Sequence, residues 1–354
     1  MAILWANLII VYLSSFLARY FSKPMPMEPF VKPNKILIFV SILILVLISG
    51  LRNNIGDTFF YMHGYTVRKH DLNSFEFKGD FGFELLQVLL YKISDNPQLL
   101  VFTTALITNV LVVLVLYKYS RMIEISLFVF IASGMHTVTM NGIRQSLAAA
   151  IVFAATKYLH NGKWFKFILV VLLASTIHQT ALIFIPIYFI VRREAWTKST
   201  FIILMIGVGI TFGFNEFSKL LFNAIENTKY GHYSNFTEGG ANKIRVLITA
   251  VPLIIAFFGR KKLKELWPNS DYVINLTTLG VVFMIIASQN WIFARFNIYF
   301  GLYNLILFSW ILKLFTKQSQ KLIYYSLLLF YISYFYYEHV ISLNIVYKSD
   351  YLIW

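Results

Sequence analysis

The side chains able to do chemistry stand at the ends of apolar runs. Arg52 closes the run "ILIFVSILILVLIS", and Arg144, Arg245 and Arg295 each open another. Asp57 follows Arg52 by five residues, inside "GLRNNIGDTFFYMHGY". His178 interrupts an apolar stretch in "STIHQT". A guanidinium presents a planar fork of donors that matches phosphate oxygens, and the first turn of a helix favours anions. Four such arginines converging would bind a phosphate or diphosphate at membrane depth. The ordinary alternative is snorkelling, in which a base near a helix end reaches water at modest cost.

Asp57 has two readings. It caps the helix that opens "TFFYMH", or it serves as a general base or a group that orients a sugar hydroxyl. His178 also has two: a hydrogen bond within a helix–helix contact, or a proton acceptor. Around them stand Tyr61 and His63, Asn141 and Gln145, Gln179, and Tyr230 and Tyr233. These are candidates to bind substrate, with the tyrosines suited to stack on sugar faces. An interfacial aromatic belt also predicts tyrosines there. No DxD, HExxH or phosphate-binding glycine loop occurs, which disfavours a nucleotide-consuming enzyme or pump. No metal constellation is evident, and nothing in the sequence demands a divalent ion or another cofactor.

These residues share a site only if the elements carrying them bring them to one side of a membrane. The chain of 354 residues is 58% apolar and 13% charged, about half the charged fraction of a soluble domain. Twelve apolar stretches qualify as spans: roughly 2–20, 35–51, 98–117, 124–138, 142–159, 164–177, 179–191, 199–215, 244–259, 272–288, 294–313 and 322–337. The expectation is an all-α, polytopic integral membrane protein forming one transmembrane domain over 1–354. Residues 52–97 form the longest polar interval, read as an outer loop, with Phe81–Ile93 as an amphipathic interfacial helix. Residues 216–243 form a second outer loop. Pro186 and Pro252 fall inside spans, and Gly207, Gly209 and Gly213 suggest close helix packing.

Charge assigns the sides. The first apolar stretch has no base before it and two after it, Arg19 and Lys23, which places both termini outside. The inner loops then hold nineteen bases against five acids, and the outer side twelve against eleven. The net charge of +15 is thus a topological signal and implies no nucleic-acid partner. Arg52, Asp57, Arg144, His178, Arg245 and Arg295 all fall on the outer face, where a basic stop residue has no topological reason to be. No histidine or carboxylate is read on the cytoplasmic side near a span. The absence of cysteine excludes disulfides, thiol catalysis and cysteine zinc sites.

Three segments in order, "GLRNNIGDTFFYMHGY", "NGIRQSLAAAIVFAATKYL" and "WFKFILVVLLASTIHQTALIFIPIY", resemble the EpsG-like group of Wzy-type bacterial polysaccharide polymerases. The likeness rests on Arg52, Gly56, Asp57 and Tyr61, on Asn141, Gly142, Arg144 and Gln145, and on Ser175 and His178. It covers residues 40–190 well and 220–300 more loosely. Thr58 stands where the family usually has an aromatic residue.

The resemblance implies a multi-pass protein of the bacterial plasma membrane, compatible with a GT-C-like architecture and with its active face periplasmic or extracellular. It implies transfer of a growing glycan from undecaprenyl diphosphate to a hydroxyl of the next lipid-linked repeat unit. The partners implied are lipid-linked donor and acceptor, membrane lipids and a chain-length regulator protein. The energy lies in the sugar–diphosphate bond, so no nucleotide is needed. Arg52, Arg144, Arg245 and Arg295 would face the diphosphate, and Asp57 or His178 would take the acceptor proton. Two rivals are a flippase of lipid-linked glycans and an outer-face acyltransferase. A flippase needs ionisable groups at mid-span, and here they gather at one face.

Overall fold

The computed structural model describes residues 1–24, 31–67, 77–226 and 239–352. In chain order the helices are α1 (Ala2–Tyr20), α2 (Lys35–Gly50), α3 (Thr58–Val67), α4 (Phe81–Tyr91), α5 (Gln98–Tyr119), α6 (Ile123–Ala132), α7 (Met135–Asn141), α8 (Ile143–Ala154), α9 (Thr156–His160) and α10 (Trp164–Ile177). There follow α11 (Phe184–Val191), α12 (Lys198–Phe212), α13 (Phe214–Ile225), α14 (Lys243–Phe258), α15 (Arg260–Leu266), α16 (Asp271–Ala287), α17 (Asn297–Ile311) and α18 (Lys317–Tyr336). A 3-10 turn at Gln179–Ile183 precedes α11, another at Trp291–Phe296 precedes α17, and a π turn at Tyr337–Ser342 follows α18. The strand pairing is minimal, Lys23–Pro24 against Val31–Lys32.

Every one of the twelve apolar stretches is helical, as their composition requires: backbone groups in hydrocarbon must bond within their own segment. By length and composition three helical runs can cross a membrane: Ala2–Tyr20, Gln98–Tyr119 and Trp291–Leu314. Two bent pairs, α6–α7 at 56° and α12–α13 at 96°, raise the number to five. The other apolar helices, such as α2 and α10, are shorter than a straight crossing needs.

The chain divides into two compact units, Met1–Tyr188 with Phe308–Trp354, and Phe189–Leu307. In the first, α1 packs on α2 and α6, α2 on α5, α5 on α8, and α8 on α10. Small residues permit the approach: Ala148, Ala149 and Ala150 of α8 are all buried. Polar rungs tie helix to helix, Ser14 to Ser41 at 2.8 Å and Asn109 Nδ2 to Ser49 Oγ at 2.8 Å. In the second unit α16 lies against α12 and α14. Of the three glycines expected to pack closely, Gly207 does so: a Cβ there would stand 2.9 Å from Val282 Cγ1. Gly209 has open space.

One carboxylate departs from the sequence expectation. Glu124 opens α6 on the side assigned to the cytoplasm, is fully buried, and pairs with Arg19 Nε at 2.6 Å. A buried carboxylate needs such a partner. The sequence shows Glu124 and Arg19 more than a hundred residues apart and gives no sign that α1 lies beside α6.

Helices α3 and α4 lie in the interval expected as an outer loop. Helix α4 buries Phe83, Gln87, Val88 and Leu90 and exposes Leu89, which is the expected amphipathic pattern. Its buried face joins Tyr65, Leu100 and Ile143 in one apolar cluster. The C-terminal segment is stitched across the start of this region. Tyr347 Oη donates to Ile48 O at 2.8 Å and Ser349 Oγ to Leu51 O at 2.6 Å. Asn53 N donates to Lys348 O at 3.1 Å. Asn54 makes two bonds, from Nδ2 to Val346 O at 2.6 Å and to Oδ1 from Lys348 N at 2.8 Å. Asn54→Ala removes both and should cost about 1–2 kcal/mol. Thermal unfolding in detergent should show a lowered midpoint, and limited trypsin digestion should begin to cut after Arg52, which the strap otherwise covers.

Candidate active site

Arg52 lies just beyond α2 and is 1% exposed. Its Nε donates to Thr58 Oγ1 at 3.0 Å, Nη1 to Ser49 O, and Nη2 to Met140 O. Its own carbonyl accepts from Gln98 Nε2 at 3.1 Å, which also reaches Gly50 O at 2.6 Å. Burial pulls the guanidinium down to about 9, which leaves it charged at neutral pH, and the three acceptors offset that burial. Arg52 therefore joins the end of α2, the start of α3 and the end of α7. Its fork is committed to protein partners.

The residues beside two of those partners form the next layer. Thr58 follows Asp57, and Met140 precedes Asn141. Asn141 Oδ1 accepts from Asp57 N at 2.9 Å. Gly56 makes this approach feasible: its φ is +55°, and a Cβ there would fall 2.3 Å from Asn141 Oδ1. A side chain would be strained in that backbone region and would collide with the amide. The Asp57 side chain makes no capping bond to α3. Among the described residues its carboxylate takes no hydrogen bond or ion pair. It lines a cleft of about 340 Å³ between α3 and α4.

The cleft is lined by Asp57, Phe60, Tyr61, Gly64, Asp80, Phe83, Glu84, Gln87 and Arg144. Arg144, in the first turn of α8, donates from Nη1 to Asp80 Oδ2 at 3.1 Å and lies 5.8 Å from the Tyr61 ring centre and 6.0 Å from that of Phe83. The Arg144 side chain is 42% exposed and that of Asp80 is 7%. Asp80 Oδ1 accepts from Gln179 N at 3.1 Å. Asp80 is the N-cap residue of α4 yet makes no capping bond, because its carboxylate is used by Arg144 and Gln179. So Asp57, Tyr61 and Arg144 do meet at one cleft, Asn141 positions Asp57, and the backbone of Gln179 positions Asp80.

Other expected residues stand apart from the lining. Gln145 is buried on α8. His63 is exposed and stacks on Phe59 at 5.8 Å. His178 caps the 3-10 turn: its Nδ1 lies 2.7 Å from Thr180 Oγ1 and accepts from Thr180 N at 3.4 Å. Tyr230 and Tyr233 lie outside the described residues.

The sequence reading missed Asp80, Glu84 and Gln87. Besides Asp57, two more acids, Asp80 and Glu84, line the same cleft. The signal was present: positions 80, 84 and 87 have the i, i+4, i+7 spacing of one helix face. Among the described residues, no three His, Asp or Glu side chains stand close enough together to share a metal ion.

In the second unit Arg245 is half-buried in the first turn of α14, and Arg295 lies 5.1 Å from the Trp291 ring centre. Both follow an asparagine cap. Asn242 Oδ1 accepts from Ile244 N at 2.9 Å, and Asn290 Oδ1 from Ile292 N at 3.0 Å. Ala241 N bonds Ala287 O at 2.6 Å and Trp291 N bonds Gly239 O at 3.1 Å. The two arginines therefore share one end of this unit.

No curated protein and no solved structure matches the chain. A family model does: residues 35–349 match that of the EpsG family, which takes in every segment lining the cleft as well as Arg245 and Arg295. On that match, which covers nearly the whole chain, this protein belongs to the EpsG family.

Proposed function

We propose that the protein is a polysaccharide polymerase that joins lipid-diphosphate-linked oligosaccharide repeat units by glycosyl transfer at the outer leaflet of a bacterial plasma membrane. The observation that carries this reading is the convergence of Asp57 and Arg144 on one cleft in a member of the EpsG family. An uncommitted carboxylate and a half-exposed guanidinium are what the transfer needs. The acceptor hydroxyl oxygen attacks the anomeric carbon, and the bond from that carbon to the diphosphate oxygen breaks. Asp57 takes the hydroxyl proton as general base. Arg144 neutralises charge developing on the departing lipid diphosphate. The electron pair leaves with the diphosphate, so the step balances without nucleotide.

Asp57 is favoured over His178 as the base. The His178 Nδ1 is engaged in capping its own turn, while the Asp57 carboxylate faces open space. Arg52 is assigned a positioning role: its three donors fix the loop that carries Asp57 and the helix end that carries Asn141. Tyr61 and Phe83 offer ring faces beside Arg144, suited to a sugar.

The test is reconstitution with a purified lipid-linked repeat unit. A ladder of longer glycans with lipid diphosphate released and no nucleotide added supports the polymerase. Transbilayer movement of the substrate without chain growth sinks it. Arg144→Lys keeps the charge and loses the fork, and should slow chain growth about 100-fold in folded protein. Unchanged polymer length would return Arg144 to a snorkelling role.

Asp57→Asn keeps the shape and the backbone bond to Asn141 while removing the base. It should slow elongation about 100-fold or more at unchanged thermal stability. Single-turnover rates of the variant and of His178→Gln, compared side by side, decide the assignment: a larger loss at His178 would move the base there.

A further inference from the structure

Gln87 lies in the second turn of α4, 5% exposed, on the same face as Asp80 and Glu84. It lines the cleft together with Asp57 and Arg144. Among the described residues its amide makes no hydrogen bond. Every other long polar side chain there is either committed, as Asp80 is to Arg144 and Gln179, or exposed, as Glu84 is. Although the residue as a whole is buried, its amide reaches the open volume of the cleft, so its two donors and its carbonyl are available to a ligand. A site built in that way discriminates strongly between ligands that satisfy the amide and ligands that do not.

The surroundings define the ligand. Tyr61 and Phe83, which also line the cleft, meet edge to face with ring centres 6.1 Å apart. Apolar ring surface next to fixed polar groups suits a sugar, which has an apolar face and a polar rim. Arg144 lines the same cleft and is the group there suited to phosphate. We propose that Gln87 is a specificity-determining residue that reads a ring substituent of the sugar nearest the transferred bond. That substituent both accepts and donates, as a hydroxyl or an acetamido group does. The assignment rests on the repeat-unit reading above. It adds the residue that chooses among sugars, a role distinct from the proton transfer of Asp57.

The variant is Gln87→Met, which keeps length and volume and removes both donors and the carbonyl. The wild-type chain and the variant are placed in lipid nanodiscs. The free oligosaccharide released by mild acid from the lipid-linked repeat unit is the probe, and saturation-transfer NMR is the readout. Wild type should bind it, and the variant should bind at least tenfold more weakly. Removing N-acetyl groups from the probe separates the two chemistries. Equal loss of binding in both proteins leaves a hydroxyl as the group read, and loss confined to wild type assigns the acetamido group. In the chain-growth assay the variant should raise the half-saturating concentration of the lipid-linked donor about tenfold with maximal rate within twofold. A folded variant unchanged in both binding and half-saturation overturns the proposal, as does a wild type that binds no sugar. A wild type that binds the oligosaccharide through Gln87 but never lengthens it overturns the polymerase reading and leaves the sugar site standing.

Discussion

The site depends on the burial of one charge. Arg52 sits where water does not reach, and a guanidinium there is tolerable only if its donors find acceptors. They find three, on the end of α2, the start of α3 and the end of α7. Each acceptor belongs to a different element, so satisfying one side chain fixes three pieces of backbone relative to one another. Asp57 and Asn141 are the immediate neighbours of two of those contacts, and their own hydrogen bond closes the arrangement. Gly56 follows from this: the loop can turn tightly against Asn141 only where no Cβ intervenes. The C-terminal segment reinforces the same stretch from the other side, bonding Ile48, Leu51, Asn53 and Asn54.

That construction leaves the Asp57 carboxylate as the unused polar group of a well-braced loop. Its backbone is held from both directions, and its side chain does no structural work among the described residues. A carboxylate positioned this way loses little freedom when it accepts a proton, which is the preorganisation general-base catalysis exploits. Asp80 shows the contrasting case. It is the same residue type in the same cleft, but it is nearly buried and holds Arg144 and the Gln179 amide. Burial and partners, rather than residue type, separate a carboxylate left open to the cleft from one that positions its neighbours.

Much of this was legible in the sequence, and the boundary has physical causes. The helical stretches followed from apolar content, because unbonded backbone is not tolerated in hydrocarbon. Helix α3 after Asp57 and the amphipathic α4 were readable from local pattern. The convergence of Asp57, Tyr61 and Arg144 was expected from the charge-based topology and from the order of the motifs. The role of Arg52 was not: a residue type suited to phosphate is equally suited to three carbonyl or hydroxyl oxygens. Only burial and the position of Met140, 88 residues away, distinguish the two. Asp80, Glu84 and Gln87 were missed for a different reason. Their spacing marked one face of α4, but sequence does not say which face of an amphipathic helix turns to a cleft and which to lipid or water.

The pairing of Arg144 with Asp80 bears on how an anion would be held. An ion pair with one partner 42% exposed is screened and contributes about 1 kcal/mol or less. Asp80 therefore orients the guanidinium without locking it, unlike the three-acceptor clamp on Arg52. A diphosphate entering the cleft carries more charge than one carboxylate and offers oxygens for a bidentate contact, so it competes for the Arg144 fork. If it displaces Asp80 from Arg144, Asp80 keeps the Gln179 amide as a donor and is not left bare. That remaining donor lessens the cost to the buried carboxylate of losing its cation. The proposed reaction needs that property, since the same arginine must bind each incoming lipid diphosphate and release the spent one.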